Sequence, residues 1–279
     1  MNRANGSDRA RRGSLLQVNS VWVAVASTVV VFAALALIIL NAPGWPKVKH
    51  AFFDPAEFRA YFGTIGHAFV LNIKIFLVAE VLILTLAMVL AVLRSLPGPV
   101  FFPIRLLAIG YTDLFRGIPT ILLVLLFGFG IPTLQLSHVP SDPVYLGAAA
   151  LVVIYTAYVS EVYRAGIESV HPSQEAAARS LGLSRWQATR YVILPQAVRR
   201  VIPPLLNDFI GLQKDTALVS VLGAVEALNQ SQIDADASFN FTPYLAAAFL
   251  FVAITIPLAR FTDWLTLRDR RKRQAGGVR

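Results

Sequence analysis

The 279-residue chain has no cysteine, only four histidines and few charges. Without cysteine there is no disulfide framework, no thiolate chemistry and no cysteine metal site. His50, His67, His138 and His171 are scattered, with no two at ligand spacing, so no metal is expected. Charged residues make up 15%, against roughly 25% in soluble domains. With 56% hydrophobic residues, too little polar surface remains to wrap a soluble core, which excludes a soluble enzyme or nucleic-acid module. No G-x-x-x-x-G-K-[ST] segment occurs and no Lys follows any Gly, so the chain carries no phosphate-cradling loop of this type. H-E-x-x-H, G-x-S-x-G and clustered carboxylates are missing too; neither catalysis nor a cofactor is expected.

What is there is a set of apolar runs. Ser20 to Leu40 is 21 residues without a charge, enough to cross about 30 Å of hydrocarbon. Arg11-Arg12-Gly13-Ser14-Leu15-Leu16 resembles a twin-arginine export signal, but the run exceeds the usual length of about 7–15 residues and Pro43 follows a poor cleavage site, which favours an uncleaved anchor. Further runs are Ile75 to Leu93, Leu106 to Ile131, Val144 to Val162 and Tyr244 to Leu267. Val201 to Val225 has a span's length yet carries Asp208, Lys214 and Asp215.

Charge parity decides the ambiguous segment. With six spans, eighteen basic residues fall on one side: the N-terminal arginines, Arg94 and Arg105, the stretch Arg164 to Arg200, and the tail from Arg268. Lys47, Lys49 and Arg59 alone face the other side. The net charge of +9 and pI near 10.2 thus follow the positive-inside rule rather than a nucleic-acid footprint. The expectation is an all-α membrane protein of six transmembrane helices with both termini cytoplasmic. It comprises a tail over 1–19, a span over 20–40, an external loop over 41–61, a transmembrane domain over 62–267 with a cytoplasmic loop about 165–200, and a basic tail over 268–279. Pro132 to Pro143 and Glu226 to Phe241 are expected as external loops.

The cytoplasmic loop is punctuated like a folded element. His171-Pro172-Ser173-Gln174-Glu175 reads as a helix start and Ala176, Ala177, Ala178 and Arg179 as helix formers, with Gly182 at a left-handed cap. Ser184 and Gln187 form an S-x-x-Q capping box for a second helix ending at Leu194-Pro195. Three alanines in a row let a partner's backbone approach closely, which suggests a docking peg. Arg179, Arg185 and Arg190 equally suit a helix lying on the lipid surface.

Glu175-Ala176-Ala177, Gly182 and Val192-x-Leu194-Pro195 resemble the EAA loop of ABC importer permeases, with Val192 where that pattern usually has Ile. Leu114-Phe115-Arg116-Gly117-Ile118-Pro119, Glu161-Val162-Tyr163-Arg164-Ala165-Gly166, Leu194-Pro195-Gln196-Ala197 and Gly211-Leu212-Gln213-Lys214-Asp215-Thr216 resemble blocks of the polar amino acid branch, which includes histidine, glutamine, arginine and opine-like permeases. The resemblance covers about Phe62 to Leu267. It implies five core spans plus one extra N-terminal span, a second permease subunit (identical or similar), two ABC ATPase subunits, and a periplasmic or extracellular solute-binding protein, in a bacterial inner (plasma) membrane. It also implies that Glu175, Ala176, Ala177 and Gly182 form the coupling helix that docks on the ATPase.

Charges at membrane depth need a partner or a job. Lys74 can extend to the interface. Glu80 is open to an interhelical bond or a place on the solute pathway. Asp113 and Arg116, at i, i+3, have the spacing to pair. Asp208, Lys214, Asp215 and Thr216 make the Val201–Val225 segment too polar to face lipid. A zwitterionic amino acid needs an acceptor for its ammonium and donors for its carboxylate, so Glu80, Arg116, Asp208, Lys214, Asp215 and Thr216 are candidate pathway residues; a purely structural interface is the competing reading. Glu161, Arg164 and Glu168 have the spacing of a charge ladder. The rival to an importer permease is an ion-gradient-driven secondary transporter or channel, motivated by the same buried acids.

Overall fold

A computed structural model describes the backbone of residues 5–96 and 98–276, and side chains within 22–96 and 98–268. The basic side chains before Trp22 and beyond Arg268 lie outside the described residues. The chain divides into two compact units, Met1–Asp54 and Pro55–Arg279, the boundary falling before the expected domain start at 62.

The first unit holds helix α1 (Asn5–Leu40) and helix α2 (Trp45–Phe52). Within Trp22–Leu40 no residue is buried. A helix apolar on every side that packs on nothing in its own unit is matched to hydrocarbon. Residues 41–61, expected as a loop, contain α2, begun by Gly44 and Pro46, because proline at the first turn loses no hydrogen bond.

The second unit contains helices and no strand among its described residues. Helix α3 runs Pro55–Ser95 and α4 runs Phe102–Gly117. The expected continuous span Leu106 to Ile131 is broken: Ile118 is extended before Pro119, as the proline ring demands of its predecessor. Helix α5 (Thr120–Leu125) departs at 105° to α4 and continues through a π-helical stretch, Leu126–Gly130, into the short α6 (Ile131–Thr133). Asp142 accepts from the Val144 amide at 2.7 Å and caps α7 (Pro143–Glu168).

Helices α8 (Pro172–Ser180) and α9 (Arg185–Ala188) follow. The second loop helix does not end at Leu194-Pro195. A π-helical stretch, Thr189–Ile193, carries it into α10 (Leu194–Asp215); Pro195 sits in the first turn of α10, where it needs no amide partner. A 3₁₀ segment, Thr216–Leu222, then leads to α11 (Ala227–Ser238), a helix where Glu226 to Phe241 was expected as a loop, and to α12 (Thr242–Gly276). Alternating polar and small residues hide this helix from periodicity; Glu226 caps it instead, accepting from the Leu228 and Asn229 amides.

Four stretches are long and apolar enough to cross a membrane, Trp22–Leu40, Trp45–Ser95, Pro143–Glu168 and Thr242–Arg268, with a fifth if the bent pair of α4 and the α5–α6 run is one span. The 22 residues of α10 span about 33 Å, but its charges keep it out of that set.

The core lies where α3, α7 and α10 meet. Phe76, Ala79, Ile83 and Ala87 of α3 pack against Leu151, Ile154, Tyr155 and Val159 of α7, with Leu212 of α10 and Val219. Small residues set the spacing, as is usual between helices in lipid. A Cβ at Gly147 would stand 2.6 Å from Val219, and one at Gly166 would overlap Val201. Leu77, Val78, Val81 and Leu82 of α3 are exposed on the opposite side, a lipid-matched face that needs no protein partner.

Candidate functional site: the capped peg and the polar seam

The peg owes its shape to local hydrogen bonds. His171 caps α8, its Nδ1 accepting from the Ser173 amide at 3.2 Å. At the other end the Leu183 amide donates to Ala178 O and the Gly182 amide to Arg179 O, the paired bonds of a left-handed helix stop. Gly182 has φ +84° with nothing near its absent Cβ, so conformation alone demands glycine there. Ser184 and Gln187 make both bonds of the capping box, at 3.2 and 2.8 Å. Ala178 and Ala188 are buried while Ala176, Ala177, Trp186 and Leu181, the last 84% exposed, face outward. Glu175 is half-buried and forms an ion pair with Arg185 at 3.7 Å.

The peg is clamped to the bundle. Arg200 of α10 donates to Ser169 O, the carbonyl just past α7, while Gly166 lets Val201 seat directly on α7. The ladder Glu161, Arg164 and Glu168 forms, and Arg94 of α3 joins it at 2.8 Å from Glu161. The spacing on α7 could not reveal Arg94, which arrives from 67 residues away.

The candidate pathway residues do not gather at one point. Asp215 Oδ2 accepts from the Tyr155 hydroxyl at 2.9 Å, so one of its two carboxylate oxygens is engaged within the protein. Thr216 is fully buried, accepting from Asn72 Nδ2 at 3.1 Å and donating to Gln213 O at 2.8 Å. Asp208 and Glu80 lie within electrostatic range of each other, and Asp208 Oδ2 is buried without a hydrogen-bond partner. Lys214 is exposed and lines a separate cleft of about 280 Å³ with Tyr244 and Phe251. The Asp113–Arg116 pair is not among the ion pairs of the described residues; the Arg116 guanidinium sits 5.9 Å over the Tyr158 ring, a cation–π contact across to α7.

Two residues escaped the sequence entirely. Asn72 donates to Glu226 at 2.7 Å and to Thr216, and its Oδ1 accepts from the Ala227 amide at 3.1 Å. Glu226, fully buried, closes this node against the first turn of α11. Burial pushes the Glu226 carboxyl above its ordinary value, and the donors from Leu228, Asn72 and Asn229 oppose that rise. A lone Asn in an apolar run, and a Glu before an Ala-Leu-Asn start, are the only signals the sequence carries.

Residues 99–271 match the family of binding-protein-dependent transport system inner membrane components. The chain belongs to that family. Such a component transports and does not catalyse, and membership removes the ion-gradient reading. The probable glutamine ABC transporter permease protein GlnM of Bacillus subtilis (strain 168) is 35% identical over 170 residues, covering 61% of this chain and 77% of that one. The probable amino-acid ABC transporter permease protein PatM of Vibrio harveyi is 34% identical over 182 residues, 65% and 80% of the two chains. A crystal structure of an amino acid ABC transporter with histidines aligns at TM-score 0.70 and 30% identity, over 78% of this permease and 98% of that chain. The inward-facing MetNI methionine ABC transporter aligns at TM-score 0.58 and 18% identity, over 72% and 94%, and shares the fold.

Proposed function

We propose that this permease forms the membrane path of an ATP-driven importer for a polar amino acid or a closely related solute, in the inner membrane of a bacterium. It pairs with a second permease subunit, two ABC ATPases bind on the cytoplasmic side, and a solute-binding protein delivers cargo outside. The chain crosses the membrane six times, α10 being the fifth span in chain order and α12 the last, with both termini inside. Shielding by α3, α7 and α12 makes a charged α10 tolerable in lipid, and the excess of basic residues on one side supports the orientation.

The observation that carries this reading is the peg. Glu175, Ala176, Ala177 and Gly182 shape a short helix, closed at both ends by its own caps, whose small outward residues admit a close partner. The clamp at Arg200 and Val201 ties that helix to α7 and α10, so force from a closing ATPase reaches α10, which carries Asp208, Lys214 and Asp215 to their separate surroundings and leads into Thr216, with Glu80 on α3 within electrostatic range of Asp208, while Arg116 leans on α7 from α4. The cargo class rests on the names of the relatives, glutamine and amino-acid permeases. Reconstitution of the complete complex in liposomes with labelled glutamine, arginine, histidine and octopine is the test. Uptake of one of these that requires ATP and the binding protein is expected; uptake that persists without ATP and collapses with the proton gradient would overturn the reading.

A further inference from the structure

Helix α2 is apolar on one side and basic on the other. At about 100° per residue, Trp45, Val48, Ala51 and Phe52 fall on one side, and Lys47, Lys49 and His50 on the other. None of its residues is buried; Val48 is 41% exposed, and both lysines are exposed. Phe53, just past the helix end, is exposed too, and its ring lies 6.3 Å from that of Trp45. It thereby extends the apolar side. The helix contains no acid, and Asp54 beyond its end lies 3.8 Å from His50.

Both ends of α2 lead straight into apolar segments. Upstream, the uncharged run Trp22–Leu40 is 19 residues, about 28 Å of helix and close to the thickness of the hydrocarbon, so Leu40 ends where the chain leaves lipid. Four residues then link it to α2, and they are folded rather than extended. The Asn41 and Ala42 amides donate to Leu37 O and Ile39 O, Asn41 Nδ2 donates to Leu37 O at 2.7 Å, and the Trp45 amide donates to Ala42 O at 2.9 Å. Downstream, only Phe53 and Asp54 precede α3, whose first turns hold Phe58 edge-on to Phe249 of the apolar α12 at 6.3 Å. A helix tied this closely at both ends stays at the level where hydrocarbon meets water. There its apolar side meets acyl chains and Trp45 sits at the headgroups. The lysines choose among headgroups: an ammonium at that level is drawn to phosphates that carry no compensating choline or ethanolamine.

We propose that α2 is an interfacial helix that binds anionic phospholipid in the outer leaflet, with Trp45, Val48 and Phe52 among the acyl chains and Lys47 and Lys49 on the phosphates. The inference rests on the six-span reading above, which takes α1 across the membrane and puts α2 outside; the lipid contact goes beyond that reading. Each lysine at the surface favours anionic lipid about fivefold at low salt, and exposed charges lose most of that preference as salt rises.

The absence of cysteine makes a clean test possible. Val48→Cys, and separately Val30→Cys in the middle of α1, each give the full-length permease one site for a fluorophore. The labelled proteins go into nanodiscs doped with brominated phosphatidylglycerol or, at the same mole fraction, brominated phosphatidylcholine, and iodide serves as the aqueous quencher. At low salt the Val48→Cys label is expected to be quenched about threefold or more strongly by the phosphatidylglycerol than by the phosphatidylcholine. Adding Lys47→Gln and Lys49→Gln, or raising salt to about 0.5 M, is expected to bring the two lipids to parity. Equal quenching by both lipids at low salt overturns the inference. So does quenching by iodide alone, which would stand α2 in water, and so does shielding from all three quenchers, which would mean a protein cover. The Val30→Cys label separates the two levels of the argument. If it responds to lipid while Val48→Cys does not, the inference falls alone; if it responds to neither lipid, the spanning reading of α1 falls and takes the inference with it.

Discussion

The two ends of the second unit are built on opposite plans. At the peg, the capping hydrogen bonds join residues two to five positions apart: His171 with Ser173, Ala178 with Leu183, Ser184 with Gln187. At the Asn72–Thr216–Glu226 node they join residues 144 to 155 positions apart, and every side chain is buried. A locally closed element can move as a unit without breaking its own bonds. A node of long-range buried bonds cannot shift without leaving donors and acceptors unsatisfied. The peg is thus suited to being pushed, and the node to staying fixed while the rest moves about it.

The largest effect should come from Gly182→Pro. Proline holds φ near −65° where the chain needs +84°, so the turn between α8 and α9 is lost. Uptake is expected to fall below a tenth of the parent while membrane insertion is unchanged; normal uptake would remove the peg from the mechanism. Asn72→Ala attacks the opposite end. It strips Glu226, Thr216 and the Ala227 amide of partners, and about 2–3 kcal/mol of stability should go with them, read as a lower melting temperature in detergent. If Asn72→Ala melts normally, the contrast drawn above is wrong.

Two smaller changes sharpen the picture. Gly147→Ala forces a Cβ against Val219 and should cost about 1–3 kcal/mol, again as a lower melting temperature. Arg185→Gln removes the exposed pair with Glu175. Its effect on stability should stay below about 1 kcal/mol and shrink further in salt, because the caps and not this pair hold the peg together.

Legibility in the sequence follows the same division. Pro172, Gly182, the Ser184–Gln187 box and the Glu161–Arg164–Glu168 ladder were readable because their partners sit within one or two helical turns. The π-helical stretch at Thr189–Ile193 was not, since a proline after an apolar residue reads as a stop unless the backbone absorbs the extra residue. Helix α11 was missed because its buried side, Ala227, Ser231, Asp234 and Ala235, holds no large apolar residue and mixes polar with small ones. Lys214 and Asp215, adjacent in sequence, meet different surroundings: a cleft beside Tyr244 for one and the Tyr155 hydroxyl for the other, as the turn of about 100° per residue between neighbours in a helix requires.

By itself the sequence determined that this chain is membrane-embedded, lacks its own nucleotide-binding loop of the G-x-x-x-x-G-K-[ST] kind, and carries a capped helix pair between spans, because composition, motif and helix-end chemistry are properties of neighbouring residues. The tertiary structure alone decided which polar groups pair inside the bundle: Asn72 with Glu226, Arg94 with Glu161, Tyr155 with Asp215. Those choices depend on how closely glycines and alanines let α3, α7 and α10 approach, and that distance is set by packing between segments far apart in the chain.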